Sequence, residues 1–460
     1  MIYSSLMFIY GFLPVSLLIY YLTPKKHQPL VLLLLSAVFC GMLGLHCLVF
    51  TAVFAGVNYV VCRTIESRRE NRPEACTVLC GGIFFDVFSL FLFRSELLSA
   101  LREGAGIPES FFPLGVSFMV LGGIGTLADV YTGRLRAERN FLRFWLYFIF
   151  FPRLIMGPLL RYGSFSKVLD SRKPELAEIG AGMTIFVKGL AKKVLAADTL
   201  YLLYEAVRTT DVGAMSALTA WLGALAYILC LYFTLSGLAD MGTGAGYCFG
   251  LRMPQSFNYP LFSIKIRYFA ARWHIQVVQW MRRYITKTAS SRFRSGIVKK
   301  LIFICVWGIL GFWYVFSING LIWGILIGMA ITAENRLSRG RILNVTGGIY
   351  TAFAAMVFGV FLSGESISYS LRYLWAMIGG AGGGFADAFS LYLLKAYVVV
   401  LLITMYAATD LFRNMMVRSG KNTVKTALTA ATPLVVLALL TVCTALMSYT
   451  GSSEMILIKL

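Results

Sequence analysis

The chain has 460 residues, of which 58% are hydrophobic and only 14% are charged. This composition excludes an ordinary soluble globular protein and predicts an integral membrane protein, because apolar runs long enough to cross a bilayer recur along the sequence. The formal net charge is +21, but the cations cluster in short connections between apolar runs, as the positive-inside rule describes. We therefore expect the basic charge to orient the chain in a lipid bilayer and not to bind nucleic acid.

The apolar runs predict an all-α, polytopic fold with about 11–13 membrane helices, some of them tilted, broken or re-entrant. The approximate spans are 4–22, 29–45, 47–62, 75–93, 110–128, 141–159, 180–206, 214–236, 298–315, 317–333, 345–364, 390–410 and 426–448. We expect a single membrane domain over 1–460, with N-terminal helices at 1–110, a core at 111–335 and C-terminal helices at 336–460.

Charge and end signals predict a multi-pass protein of the cell membrane. Lys25 and Lys26 precede two short apolar runs, and four arginines between Arg63 and Arg72 follow them. Both basic patches can lie in the cytoplasm, which places the N-terminus outside. The first apolar run lacks a basic n-region and a cleavage site, so we expect it to remain as a membrane helix.

Histidine is rare in this chain, and one histidine has an unusual setting. His27 and His46 lie near the N-terminus, which leaves His274 as the only imidazole in the rest of the sequence. No Asp or Glu occurs between Asp240 and Glu334, whereas Lys and Arg are abundant there. Because histidine is the side chain suited to proton transfer near neutral pH, His274 is the first candidate for acid–base chemistry.

The residues around His274 predict an uninterrupted helix over 264–285, since no Pro or Gly occurs in this range. Helical periodicity puts Arg272, Gln276, Gln279 and Arg283 on one stripe and His274 about 180° away, facing the apolar interior. One interpretation is a structural histidine with a single satisfied hydrogen bond. The other is a functional site, because buried ionisable groups are costly in membrane proteins and the basic surroundings suit an anionic or phosphorylated donor such as a coenzyme thioester.

Six short strings in this chain resemble those of one known family. They are AERNF at 137–141, GPLLRY at 157–162, GLAKKV at 189–194, LSGLADM at 235–241, FNYP at 257–260 and RWH at 272–274. In this order they are similar to the membrane-bound O-acyltransferase (MBOAT) family, and within it to the membrane subunit of alginate O-acetyltransferases. The resemblance runs from about residue 12 to residue 335.

The resemblance implies a horseshoe of membrane helices, with re-entrant or interfacial helices around a thin central region. It also implies an O-acyltransferase that takes an acyl group, most often acetyl, from a cytoplasmic thioester such as acyl-CoA, with no bound cofactor. The acyl group would pass to an extracytoplasmic acyltransferase or esterase-like partner and then to a polysaccharide. Two histidines mark the active centre of the family, and His274 matches the first.

The second family histidine is replaced by tyrosine in this chain. The family string Gly-Leu-Trp-His-Gly-x-x-x-Asn-x-x-x-Trp-Gly aligns with 311–324, where Trp313 and Asn319 fit and Tyr314 occupies the histidine position. An ordinary tyrosine, with a pKa near 10, donates a hydrogen bond at neutral pH but is a poor base. Two hypotheses follow: Tyr314 polarises the thioester carbonyl while His274 takes the proton, or the chain is a catalytically impaired conduit or scaffold subunit.

Further residues are weaker candidates for substrate binding. Arg161 and Tyr162 could contact an anionic donor or anchor the topology, and Asp240 could pair with a cation in a mainly structural role. Asn258 is expected to close the turn before His274, and Asn319 to orient Tyr314. Arg272, Trp273 and Trp313 flank the two candidate catalytic residues. The nine cysteines are scattered without ligand spacing, so no metal site is expected.

Overall fold

The computed structural model describes residues 3–95, 115–172, 175–291, 293, 295–337, 343–411 and 422–450. These residues form helices and connections, and no strand occurs among them. The predicted all-α class is therefore confirmed. The first residues of the span predicted at 110–128 lie outside the described residues.

The chain divides into two compact units, each built from separate segments. One unit contains Met1–Val187 with Leu238–Gln255, and the other contains Lys188–Gly237 with Ser256–Leu460. The boundaries predicted at residues 110 and 335 do not coincide with this division, and they stay a prediction.

The first unit begins with a π-helical turn, Met7–Phe12, that runs into the helix Leu13–Leu22. The helices that follow are Gln28–Gly41, Leu45–Ser67, Arg72–Arg94, Val116–Tyr131, Phe141–Ile149, Phe151–Leu154, Tyr162–Asp170 and the start of Leu176–Ala191. Its aromatic core surrounds Phe151, which contacts Phe8, Phe39 and Phe249 with ring centroids 5.5–6.2 Å apart.

The second unit begins near the π-helical turn Lys192–Ala197, which joins the end of Leu176–Ala191 to Asp198–Arg208. The helix Ala217–Cys248 contributes its first part to this unit and its last part to the other. The helices that follow are Ile266–Arg272, Ile275–Met281, Lys287–Ser291, Gly296–Val315, Ile318–Leu337, Leu343–Ser363, Ile367–Met377, Ala388–Ala407 and Asn422–Thr450, with a π-helical turn at Arg282–Thr286.

Six helices of the described residues are long and apolar enough to cross a membrane. They are Leu45–Ser67, Arg72–Arg94, Ala217–Cys248, Gly296–Val315, Ala388–Ala407 and Ala430–Tyr449. Five shorter apolar helices accompany them: Met7–Leu22, Gln28–Gly41, Val116–Tyr131, Ile318–Glu334 and Gly347–Ser363. The polytopic membrane class is thus confirmed, whereas a total of about 11–13 crossings stays a prediction.

The span predicted at 141–159 is not continuous. A helix ends at Ile149, Phe150 departs from helical geometry with ψ 108°, and a short helix begins at Phe151. Pro152 has no N–H for a helix passing through it, but it is well suited to the first turn of a new helix. The helix is therefore interrupted just before this proline.

Two neighbouring helices of the second unit approach each other closely through glycine. Gly296–Val315 and Ile318–Leu337 are joined by a tight turn at Phe316, which has a positive φ of 54°. A Cβ atom at Gly311 would clash with the carbonyl oxygen of Gly320, and one at Gly320 would clash with that of Gly311. Small residues at such a crossing let membrane helices pack backbone against backbone. This crossing holds the end of the first helix, where Trp313 and Tyr314 lie.

Candidate functional site

His274 lies at a break between two short helices. Ile266–Arg272 ends before Trp273, and Ile275–Met281 begins after His274, whose backbone is left-handed with φ 43° and ψ 56°. The uninterrupted helix predicted over 264–285 is therefore wrong. Positive φ is uncommon for residues other than glycine and tends to be kept at functional sites.

Backbone hydrogen bonds from a distant segment hold this histidine turn. The N–H of Ile275 donates to Ser256 O at 2.8 Å, and the N–H of Asn258 donates to Arg272 O at 3.0 Å. The carbonyl of His274 in turn accepts from Val277 N at 3.0 Å, which starts the second helix. The backbone of Asn258 thus helps to hold this turn, and the predicted substrate-binding role of this residue stays a prediction.

His274 and Tyr314 form a direct hydrogen bond. The distance from His274 Nδ1 to Tyr314 Oη is 2.8 Å, and the indole N–H of Trp273 donates to the same oxygen at 3.2 Å. His274 is 2% exposed and Tyr314 is 8% exposed, so the pair is shielded from solvent. Because an indole N–H can only donate, Tyr314 Oη must accept one hydrogen bond, whichever way the hydrogen between Tyr314 and His274 points.

Aromatic rings enclose this pair. Phe257 stacks on the imidazole of His274 with a centroid separation of 5.3 Å and an interplanar angle of 26°. Trp313 lies 6.4 Å from the imidazole, and Trp323 meets the Tyr314 ring edge-on at 5.8 Å. Sequence reasoning missed Phe257, although it belongs to the string FNYP at 257–260. The site is consequently buried and apolar, which strengthens the few hydrogen bonds that it contains.

Burial changes the acid–base behaviour of the histidine. His274 lies outside the candidate membrane spans, and burial lowers its pKa from 6.5 to about 3. The imidazole is therefore neutral at physiological pH and can accept a proton. A base with so low a pKa needs negative charge to develop beside it before it binds a proton firmly.

We expect the pH profile of a reaction that uses His274 as its base to reflect this lowered pKa. Since His274 stays neutral in the folded protein down to about pH 3, kcat/KM should show no loss through protonation near pH 6.5. The folding stability contributed by the neutral imidazole is full above pH 6.5 and is lost as the pH falls toward 3, because the unfolded chain then takes up a proton. A profile between pH 5 and 8 checks this. A halving of kcat/KM near pH 6.5 that disappears in His274→Gln would contradict it.

Trp273 was predicted to bind substrate. In the structure, its indole N–H donates a hydrogen bond to Tyr314 Oη. Trp273→Phe keeps an aromatic ring but removes this donor, at a net cost of about 1 kcal/mol, or roughly fivefold in rate. We expect the loss in kcat and not in KM. The matched control is Trp280→Phe, because the Trp280 N–H has no hydrogen-bond partner among the described residues. Equal losses in the two variants would contradict a role for the Trp273 hydrogen bond.

The other predicted residues of this unit are placed differently. Asn319 donates from Nδ2 to Gly364 O at 2.7 Å and lies 3.5 Å from Ser370 Oγ. The predicted orientation of Tyr314 by Asn319 is therefore wrong: the amide ties the start of one helix to the connection before Ile367–Met377. Arg272 is half-buried, and Gln276, which was expected on the polar stripe, is buried because the helix is broken.

Three predicted binding residues belong to the first unit. Tyr162 is buried and donates to Glu138 Oε2 at 2.6 Å, which makes it part of the packing around AERNF at 137–141. Arg161 is exposed at the start of Tyr162–Asp170, and Asp240 is half-buried on Ala217–Cys248. The substrate-binding role of these three residues stays a prediction.

Glu334 is a positioning residue that sequence reasoning did not identify. Its buried carboxylate accepts from the backbone N–H groups of Ile266 and Arg267 at 3.0 and 3.2 Å. It thereby satisfies the first turn of the helix that leads to His274. The signal in the sequence was its place as the first carboxylate after the long basic stretch.

No group of three or more His, Cys, Asp or Glu side chains in the described part of the chain could hold a metal ion.

A helical membrane fold with a buried His–Tyr pair defines a membrane protein with a candidate acid–base site. The family model of the membrane-bound O-acyltransferases matches residues 129–362, which include both members of the pair. The chain belongs to this family.

Curated relatives support acyltransferase activity. The chain is 31% identical to a probable alginate O-acetylase of Pseudomonas putida, over 82% of this chain and 80% of that protein. It is 27% identical to a peptidoglycan O-acetyltransferase of Helicobacter pylori, over 82% of this chain and 80% of the relative. It is 24% identical to a teichoic acid D-alanyltransferase of Bacillus subtilis, over 56% and 68% of the two chains. By their names, these relatives transfer acetyl or D-alanyl groups, with alginate, peptidoglycan or teichoic acid as the acceptor.

Proposed function

We propose that this chain moves an acyl group, most simply acetyl, from a cytoplasmic thioester toward hydroxyl groups of a cell-surface polysaccharide. An extracytoplasmic acyltransferase or esterase-like protein is the proposed partner, and the cytoplasmic membrane is the proposed location. The observation that carries the proposal is the buried 2.8 Å contact between His274 and Tyr314, at the two positions where the family has its site histidines.

The hydrogen-bond pattern supports different roles for the two residues, with His274 as the base and Tyr314 as the hydrogen-bond donor. In the tautomer that suits the reaction, His274 Nδ1 carries hydrogen and donates to Tyr314 Oη, which also accepts from Trp273. The Tyr314 hydroxyl hydrogen is then directed at the thioester carbonyl, and His274 Nε2 serves as the base.

The proposed reaction passes through a tetrahedral intermediate. His274 Nε2 takes the proton of the acceptor hydroxyl while that oxygen bonds to the thioester carbonyl carbon and the carbonyl π electrons move to oxygen. Tyr314 donates its hydrogen bond to the resulting oxyanion. When the tetrahedral intermediate collapses, the C–S bond breaks, and the leaving thiolate receives the proton from His274. The negative charge that forms on the intermediate stabilises the protonated form of His274. The histidine can therefore act as a base in this buried site although its pKa is lowered.

An anionic donor such as acyl-CoA fits the charge of this region. Arg282, Lys299 and Lys300 are exposed in the stretch between Asp240 and Glu334 that has no carboxylate. Glu334 is buried and accepts hydrogen bonds from backbone N–H groups, so its carboxylate is not available to pair with these cations. The exposed cations can therefore attract phosphates at the cytoplasmic surface.

The replacement of histidine by Tyr314 also supports a second candidate, a catalytically impaired conduit or scaffold subunit. The two candidates are separated by following a labelled acyl group from acyl-CoA into membranes that contain the chain and its polysaccharide acceptor. Labelling by the wild type above membranes without the chain supports the enzyme. Labelling only after Tyr314→His identifies the chain as a degenerate member of the family, and overturns the proposal.

A further inference from the structure

A buried carboxyl group pairs with an amide in the first unit, away from the residues of the proposed reaction. Asp86 is 0% exposed and Asn58 is 1% exposed. They lie on Arg72–Arg94 and Leu45–Ser67, two neighbouring candidate membrane helices. Ionisable groups inside membrane segments are rare and costly, and they need a compensating partner.

Asn58 and Asp86 share one hydrogen bond, and a second oxygen atom on each side chain has no hydrogen-bond partner within the described ranges. Asn58 Nδ2 donates to Asp86 Oδ1 at 2.7 Å and also to Phe54 O at 3.1 Å. Within the described ranges, Asp86 Oδ2 and Asn58 Oδ1 are both buried without a hydrogen-bond partner. A buried acceptor left without a hydrogen bond destabilises the fold, and more so when it is charged.

The two remaining oxygens face the same glycine. A Cβ atom on Gly123 would lie 2.6 Å from Asp86 Oδ2 and 3.0 Å from Asn58 Oδ1. The second oxygens of the carboxyl group and of the side-chain amide therefore both point to one small space beside Gly123 of Val116–Tyr131. Two bare acceptors in this arrangement would repel each other in a medium of low dielectric constant.

The charges nearby do not neutralise a carboxylate at this position. None of the ion pairs found in the described part of the chain includes Asp86. A buried carboxylate without a cation is destabilised by the loss of its hydration. A single hydrogen on Asp86 Oδ2 removes this charge and also provides the donor that Asn58 Oδ1 needs.

We propose that Asp86 is a proton-binding site, held as a neutral carboxylic acid that donates its hydrogen to Asn58 Oδ1. The acid and the amide then exchange two hydrogen bonds, from Asn58 Nδ2 to Asp86 Oδ1 and from Asp86 Oδ2 to Asn58 Oδ1. This reciprocal pair joins the two membrane helices beneath Gly123, where no side chain larger than hydrogen fits. It is independent of the proposed acyl transfer, and its test requires no activity.

Infrared spectroscopy of the purified full chain tests the protonation state directly. At pH 7, the difference between wild type and Asp86→Asn should contain the C=O band of a protonated carboxyl group, shifted in heavy water. The matched control is Glu74→Gln on the same helix, whose exposed side chain forms an ion pair with Arg68 and should show carboxylate bands only. Carboxylate bands alone for Asp86 would overturn the proposal.

Thermal unfolding in detergent provides a second measurement. Asp86→Asn can make the same two hydrogen bonds as an amide–amide pair, so its Tm should stay close to that of the wild type. Asp86→Leu and Asn58→Leu each leave a buried polar partner unsatisfied and should lower Tm by several degrees. The proposal is overturned if Asp86→Asn lowers Tm as much as Asp86→Leu. It is also overturned if NaCl, compared with choline chloride, raises the Tm of the wild type alone, since the two oxygens would then hold a cation.

Discussion

His274→Gln should lower acyl transfer from acyl-CoA by about 10²–10⁴-fold, the usual contribution of a general base. Glutamine has a similar reach and can still form a hydrogen bond with Tyr314 Oη, so the buried site remains filled and hydrogen-bonded. It cannot take up the proton of the acceptor hydroxyl. The measurement is the initial rate of labelled acyl transfer in membranes at equal protein level, with kcat and KM determined separately.

The matched control for this prediction is His27→Gln, because His27 is exposed and belongs to the other unit. It should leave the rate unchanged. A rate for His274→Gln within twofold of the wild type would remove His274 from the chemistry, and with it the proposed step. Tm in detergent separates a chemical loss from a folding defect, since a folded but inactive variant keeps its unfolding temperature.

Tyr314→Phe should reduce kcat by about 10–10³-fold, the upper figure being the typical effect of removing one donor to an oxyanion. Phenylalanine retains the ring that packs against Trp313 and Trp323, so the aromatic enclosure is preserved. The variant loses the hydroxyl that accepts from Trp273 and contacts His274 Nδ1. The effect should be on kcat, because the hydroxyl acts most strongly on charge that forms in the transition state.

Tyr373→Phe is the matched control, since its buried hydroxyl donates to Ala220 O at 2.8 Å within the same unit. That variant loses a buried hydrogen bond of similar kind without touching His274, and its rate should stay near the wild-type value. If Tyr314→Phe and Tyr373→Phe lose equally little, Tyr314 serves packing only. His274 would then act without a hydroxyl partner.

The membrane class of this protein could be read from hydropathy alone. Runs such as 75–93 and 390–410 coincide with the helices Arg72–Arg94 and Ala388–Ala407, because burial in lipid requires long apolar segments with internal backbone hydrogen bonds. The run at 141–159 is equally apolar, but it is broken at Phe150. Hydropathy measures the side chains and does not register the backbone N–H that Pro152 lacks.

The turn at His274 could not be predicted, since local sequence argues for a continuous helix there. A left-handed residue costs about 1–2 kcal/mol when it is not glycine. Here it is stabilised by Ser256 and by Asn258, whose backbone bonds come from a different segment. The same holds for Asn319: its spacing matched the family string, but its partner Gly364 lies 45 residues further along the chain.

By itself, the sequence determined that this is a basic, polytopic membrane protein of the O-acyltransferase family, with His274 and Tyr314 at its two marked positions. These properties depend on composition, on the length of apolar runs and on the order of short strings, all of which are local. Only the tertiary structure decided that the two side chains meet at 2.8 Å, that Trp273 donates to their shared oxygen, and that Phe257 covers the imidazole. Such contacts join residues far apart in the chain, and they depend on a backbone turn and a glycine crossing that form only when the helices pack.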